Sequence, residues 1–272
     1  MNPREAIEVV RGRFPFGGYI GPGVQTAGGH LNIANTVLRF LPPGSRILDF
    51  GCGPCDKTAV LQLLGYRCSG CDDLRDHWHL LPGNREKIAA FAQESSIDLH
   101  ADLSAFTQGY FDMVMLHDVL EHLHDSPRDL LNDLLALTRP EGLLFVTVPN
   151  AANIRKRVGL AVGKTNLPAF DGYYWYPGAW RGHIREYVRN DLMSLSDYLG
   201  LRVLDLRGCD HMLHKVPAVV RPLYLAITLL LMGWKDSWLL VARKPPSWTP
   251  RTLPDSELAE VLGSATTYRY GG

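Results

Sequence analysis

Arg46-Ile-Leu-Asp-Phe-Gly-Cys-Gly-Pro54 runs an apolar strand directly into a glycine turn. Ile47, Leu48 and Phe50 form the short apolar run of a strand buried in a parallel sheet, and Gly51 and Gly53 stand where the chain reverses. Residues 58–64 read as a helix, so backbone N–H groups at its start face the turn and any ligand held against it. The spacing is not the six-residue dinucleotide fingerprint, and no Gly-Lys-Ser/Thr of a phosphate-binding loop follows. The turn therefore predicts a cradle of nucleotide size.

Outward from the turn, apolar runs and helical periods alternate. Leu31, Ala34, Val37, Leu38 and Leu41 give residues 30–41 a helical period, closed by Pro42-Pro-Gly44. Residues 65–73 read as a second strand ending in Asp72-Asp73, 76–93 as a helix broken at Pro82-Gly83, and 97–102 as a short third strand. The fourth and fifth strands cover 111–116 and 143–148, with a helix near 129–138 between them and the turn Arg139-Pro-Glu-Gly142 before the fifth. Asn190 is expected to cap a helix through Leu199, with a sixth strand over 201–206 and a last one over 238–243.

The alternation predicts an α/β fold: a Rossmann-like, doubly wound, seven-stranded, mostly parallel sheet with an aromatic-rich insertion after the fifth strand. We assign residues 1–244 to one domain, with a ligand-binding core over 30–150, an insertion or lid over 151–188, and a C-terminal helix and strands over 189–244. Residues 245–272 form a tail. Gly172-Tyr-Tyr-Trp-Tyr-Pro-Gly-Ala-Trp180 is too aromatic for a linker and reads as a lid or acceptor wall. The glycine-rich stretch 17–23 could close over a ligand. Residues 216–234 are apolar apart from Arg221, and the uninterrupted run 223–232 is too short to span a bilayer. Burial in the domain is expected there, in preference to lying on a membrane face.

Composition narrows the function. The 272 residues are 46% hydrophobic and carry 28 basic and 28 acidic side chains, so a conventional core is available and no field draws the chain to nucleic acid. A small-molecule acceptor fits better than RNA or DNA. Residues 1–12 lack the apolar stretch of a secretory signal, and the five cysteines suit reduced thiols, so a cytoplasmic location is expected. Cys52/Cys55 and Cys68/Cys71 form two C-x-x-C pairs. Structural zinc is disfavoured because residues three apart in a strand point to opposite faces, and a thioredoxin-type role because no tryptophan precedes Cys52.

A second focus is His117-Asp-Val-Leu-Glu-His-Leu-His-Asp125, just after the fourth strand at the carboxyl edge where open α/β sheets bind ligands. Asp118, Glu121 and His122 stand at i, i+3 and i+4 and share a face if this turn is helical. Two carboxylates and an imidazole could hold a hard or borderline divalent ion. Asp72, about twenty residues beyond the glycine turn, is placed to accept hydrogen bonds from a ribose.

A strand ending in Asp-Phe-Gly-Cys-Gly, the acids after the second strand, Glu121-His122, and the Arg-Pro-Glu-Gly turn together resemble the class I S-adenosylmethionine (SAM) methyltransferases, of the UbiG-like and methyltransferase-23-like kind. The resemblance covers residues 30–150 and extends more weakly to 243. It implies that the last strand is antiparallel, that SAM is the cofactor, and that Asp49, Gly51, Gly53, Asp72 and His117 bind it, with Asp102 at the adenine. Small-RNA 2′-O-methyltransferases and ubiquinone-pathway O-methyltransferases carry Glu-x-x-Glu-His where this chain has Asp118-x-x-Glu121-His122. The RNA enzymes add a later histidine, which His183 resembles in position. The resemblance thus implies a divalent cation, Mg or Zn, on Asp118, Glu121, His122 and His183, with a shorter side chain at Asp118.

Methyl transfer to a hydroxyl needs alignment and removal of a proton, for which His122 and His183, with Glu121, are the catalytic candidates, and His117 and His124 stand behind them. The implied activity is methylation of a small molecule, at a hydroxyl of a sugar, polyol or phenolic ring. Two alternatives stay open: a SAM-binding partner protein without turnover, and a membrane-peripheral enzyme acting on a lipid-linked acceptor.

Overall fold

The computed structural model describes residues 1–20, 28–213, 216–254, 256–257 and 259–260. Seven strands form one sheet in the order β3-β2-β1-β4-β5-β7-β6. They are β1 Arg46–Phe50, β2 Arg67–Cys71, β3 Asp98–His100, β4 Phe111–His117, β5 Thr138–Pro149, β6 Arg202–Cys209 and β7 Ser237–Arg243. β1 pairs in parallel with β2 and β4, and β7 is antiparallel to both β5 and β6. The doubly wound sheet and its antiparallel strand agree with the sequence reading.

Strand periodicity sorts the apolar residues into two cores. Ile47, Met113, Met115, Leu143, Phe145, Leu239 and Val241 face one layer. Their neighbours Leu48, Val114, Leu116, Leu144, Val146, Leu240 and Ala242 face the other. The first layer is covered by α1 Pro3–Arg13, α2 Gly28–Phe40, α3 Asp56–Leu63 and α4 Asn84–Glu94. The second is covered by α5 Pro127–Leu137 and α8 Arg189–Tyr198. Each leucine or isoleucine sealed this way contributes roughly 1.5–3 kcal/mol of transfer free energy. Cys68 lies in the first layer and Cys71 in the second, so the two C-x-x-C pairs do not converge.

Local signals explain the helix starts. Asn2 accepts from the Glu5 N–H while Glu5 accepts from Asn2, a reciprocal cap with Pro3 in the first turn. Helix α8 begins one residue before the expected cap Asn190; its first turn is closed by the Asp191 carboxylate, which accepts from the Val188 N–H at 3.1 Å. Residues 76–83 are turns, and only α4 of the expected helix over 76–93 forms. The insertion holds two short helices, α6 Ile154–Ala161 and α7 Phe170–Tyr174.

One expectation fails outright. Helix α9, Arg221–Leu230, buries only Tyr224 and Thr228, while Leu223, Leu229 and Leu230 face solvent. The run is apolar, but its inward positions carry the residues with polar tips. Part of the glycine-rich loop over 17–23 and half of the tail over 245–272 lie outside the described residues.

Candidate active site

The parallel strands end together, and the order β2-β1-β4 places the crevice where connections diverge above β1 and β4. The glycine turn forms one wall. Gly51 has φ +71°, and a Cβ on it would come within 2.4 Å of Val119 Cγ2, so only glycine lets the two loops meet. Gly53 has φ +51° and open space where a Cβ would stand. Its N–H donates to Asp72 Oδ2 at 2.9 Å, and the Leu74 N–H donates to Asp72 Oδ1 at 2.7 Å. Asp72 thus bolts the end of β2 to the turn beside that space, which suits a nucleoside.

Asp49 does not reach the crevice. It is buried, accepts from Thr58 Oγ1 at 2.7 Å, and burial raises its pKa to about 6. Its place is beneath the turn, tying β1 to α3. Asp102 caps the short turn Leu103–Ala105, accepting from the Ser104 N–H at 2.9 Å, and is exposed after β3. His117 is buried at the end of β4 with Nδ1 3.2 Å from Thr147 Oγ1, and burial holds it well below the usual histidine pKa.

The second wall is the loop after β4. The turn that forms is the short 3-10 helix Leu120–His122, and Asp118 precedes it with φ +57°, outside any helix. Its carboxylate lies 3.8 Å from Lys57 Nζ. The expected shared face of Asp118, Glu121 and His122 is therefore absent: the left-handed residue breaks the helical spacing and turns Asp118 toward Lys57. Burial disfavours charge on Lys57, but Asp118 and Asp56 outweigh it and raise its pKa. Nothing in the composition singled out Lys57.

Glu121, His122 and His183 do converge, with one ligand atom from each lying within 4.8 Å of the others. Glu121 is fully buried, and its Oε1 is 4.0 Å from His122 Nε2 and 3.9 Å from His183 Nε2. His183 arrives because the returning chain is pinned: the Ile184 N–H donates to the Glu121 carbonyl at 2.6 Å, and Tyr187 bridges Asn150 at the end of β5. A Cβ on Gly182 would lie 2.0 Å from the Trp180 ring, so glycine is required for the approach.

Proton placement follows from the far side of each ring. His122 Nδ1 lies 2.8 Å from the Arg181 carbonyl, which can only accept, and His183 Nδ1 lies 2.9 Å from Glu186 Oε1. Both Nδ1 atoms thus carry the proton, and both Nε2 atoms present lone pairs toward Glu121. Burial, then the neighbouring His122, pushes His183 down to about 4. Burial first and Asp118 second push Glu121 up to about 8, and neither of its carboxylate oxygens has a hydrogen-bond partner. One carboxyl group and two Nε2 lone pairs thus meet at one place, where a positive charge would favour the ionised form of Glu121. Their outer hydrogen bonds are those of metal-ligating histidines.

The remaining candidates are occupied elsewhere. His124 Nε2 lies 2.6 Å from the Trp180 carbonyl and fastens the insertion. The five cysteines are free and buried, and burial raises the thiol pKa of Cys68 and Cys71, the latter to about 12. Glu186 was missed in the sequence although it stands at i+3 from His183, the spacing that could have revealed it.

Comparison with known proteins bears on this arrangement. A family model described as a methyltransferase domain matches residues 29–206. A ubiquinone biosynthesis O-methyltransferase of Xanthomonas campestris pv. campestris is 30% identical over 118 residues, covering 41% of this chain and 46% of that protein. The chain spans about half the length of the curated relatives it matches. Among solved structures, a SAM dependent methyltransferase from Aquifex aeolicus superposes with a TM-score of 0.52 at 11% identity, over 89% of this chain and 98% of that one. One from Methanosarcina mazei gives 0.53 at 13% identity, over 77% and 97%. At these identities the likeness speaks for the fold alone.

Proposed function

Because this chain belongs to the methyltransferase-domain family, we propose that it transfers the methyl group of SAM to a hydroxyl oxygen of a small-molecule acceptor. The observation that carries the oxygen acceptor is the meeting of Glu121 with two Nε2 lone pairs at 3.9 and 4.0 Å. An amine needs only to be neutral to attack; a hydroxyl must lose its proton, and these groups face a place where positive charge is wanted. The name of the Xanthomonas relative points to oxygen as well.

The open space at Gly53 and the carboxylate of Asp72 fit the nucleoside, with Asp102 at the far edge for the base. SAM supplies a methyl group on a positively charged sulfur. The chain's part is to align the acceptor oxygen with that methyl carbon as the carbon–sulfur bond breaks. Glu121, His122 and His183 fit a divalent cation, and two imidazole nitrogens with one carboxylate suit a borderline ion such as Zn²⁺ better than Mg²⁺. Such an ion would lower the pKa of an acceptor hydroxyl. Glu186 and the Arg181 carbonyl hold the two rings in position, so that the Nε2 lone pair of the half-buried, neutral His183 is available either to the cation or, in its absence, to the proton of the acceptor hydroxyl.

Phenolic and polyol acceptors fit the exposed aromatic insertion, where Tyr173 and Tyr176 both pack on Trp180. The test is calorimetric titration with S-adenosylhomocysteine, with and without chelator and added Zn²⁺, followed by turnover on a panel of hydroxylated acceptors. Expected are binding of the product cofactor by wild type, His122→Ala and His183→Ala alike, and turnover by wild type only. Binding without turnover on any acceptor would favour a SAM-binding partner protein. No binding by folded protein would overturn the reading.

A further inference from the structure

Helix α9 is built inside out. Its inward face carries Tyr224, whose hydroxyl donates to Asp210 Oδ1 at 2.6 Å, and Thr228, whose hydroxyl donates to the Tyr224 carbonyl. Its outward face carries leucines, with Leu229 74% and Leu230 84% exposed, and Leu231 and Met232 extend the apolar surface beyond it. A helix covering a domain normally shows the reverse pattern. Contiguous apolar exposure on this scale marks an interaction surface.

A second apolar element adjoins it. Helix α6 and the residues after it expose Val158, Leu160 and Val162. The two segments are joined: the Arg157 guanidinium lies 5.3 Å from the centre of the Trp234 ring. Asn150 at the end of β5 also donates to the Gly233 and Lys235 carbonyls. Within these two stretches the charge is basic, the acids Asp210 and Glu186 beside them being paired with Lys235 and Lys156. Residues 151–170 contain Arg155, Lys156, Arg157 and Lys164 and no carboxylate, and residues 211–235 contain no carboxylate either. Arg155, Arg157 and Lys164 are exposed.

We propose that the surface formed by α6 and α9 docks on a bilayer containing anionic lipid, with Leu229, Leu230 and Val162 entering the headgroup boundary and Arg155 and Lys164 meeting lipid phosphates. Exposed leucines beside exposed basic groups are the chemistry of an interfacial segment. A second copy of the chain is the poorer occupant, because a two-fold contact would set one basic rim against another. No helix among the described residues is long and apolar enough to cross a membrane, so the contact is peripheral. Lys156, on α6, pairs with Glu186, which holds His183 Nδ1, so the docking surface is coupled to the carboxyl edge of the sheet.

The test is vesicle flotation of the whole chain without SAM, using phosphatidylcholine with and without phosphatidylglycerol at low and high salt. Wild type is expected to float with the anionic vesicles. Arg155→Glu with Lys164→Glu should cost about tenfold or more in apparent affinity, with a flatter salt dependence. Leu229→Glu with Leu230→Glu should abolish flotation while leaving the circular dichroism and S-adenosylhomocysteine binding of wild type. Because neither readout needs turnover, failure here is distinct from failure of the methyl-transfer reading. The proposal is overturned if folded wild type floats with neither vesicle, or if the leucine variant floats as well as wild type. A dimer split by the leucine substitutions, without vesicle binding, would likewise overturn it and make this face an interface between copies.

Discussion

Glu121 and His183, separated in the chain by α5, β5 and most of the insertion, place Oε1 and Nε2 3.9 Å apart. Neither oxygen of the buried carboxyl group has a hydrogen-bond partner, and its place beside two Nε2 lone pairs makes the first prediction. Glu121→Gln should lower affinity for Zn²⁺ by about a hundredfold or more, whereas Asp118→Asn, which acts on the Lys57 pair, should leave it within about threefold. Calorimetry on the two variants reads the difference directly. Equal losses would return Asp118 to the ligand set.

Glu186 touches neither acceptor nor cation in this scheme and acts by holding His183. Replacing it with Ala should cost about 10–100-fold in metal affinity, as loss of an outer hydrogen bond to a ligating histidine does. Glu186→Gln, which keeps an oxygen acceptor, should recover most of that loss. A metal titration of the two variants separates orientation from bulk charge.

The two glycines of the turn should fail differently. Gly51→Ala combines a left-handed backbone with a 2.4 Å approach to Val119 Cγ2, and should destabilise the fold by about 2–4 kcal/mol, in part recovered by Val119→Ala. Gly53→Ala meets nothing within 4 Å, so it should cost about 1 kcal/mol of stability while weakening S-adenosylhomocysteine binding. Urea melts and ligand titration report the two effects separately.

Asp49 gives a pH signature. Its pKa is raised on folding from 3.8 to about 6, so the contribution of the protonated carboxyl is complete only below the unfolded value and is lost as pH rises through 6. In the ligand-free protein, the stability of Asp49→Asn relative to wild type should therefore increase by about 2 kcal/mol between pH 4 and pH 7. Paired denaturant melts across that range check the sign. A flat difference would mean that the carboxylate is not confined beneath the turn.

The cysteines should behave as core residues. All five are buried and free, so a thiol reagent should find no fast-reacting group in the native protein and five after denaturation. Chelators should leave the reactivity of Cys52, Cys55, Cys68 and Cys71 unchanged.

The fold was legible because its signals are local. The alternation in Ile47-Leu48, Met113 to Leu116 and Leu143 to Val148 assigns each side chain to one of two layers, and the glycines after β1 mark the turn whatever packs around them. Glu121, His122 and His183 could be named from their chemical types and the family pattern. Tertiary structure decided which groups meet. A single left-handed residue turned Asp118 to Lys57, while Gly182 and the Ile184 N–H carried His183 to Glu121, contacts whose partners lie far apart in the chain. It also decided the fate of α9: an apolar run specifies that leucines leave water, and only the packing of Tyr224 against Asp210 shows that they turn away from the core.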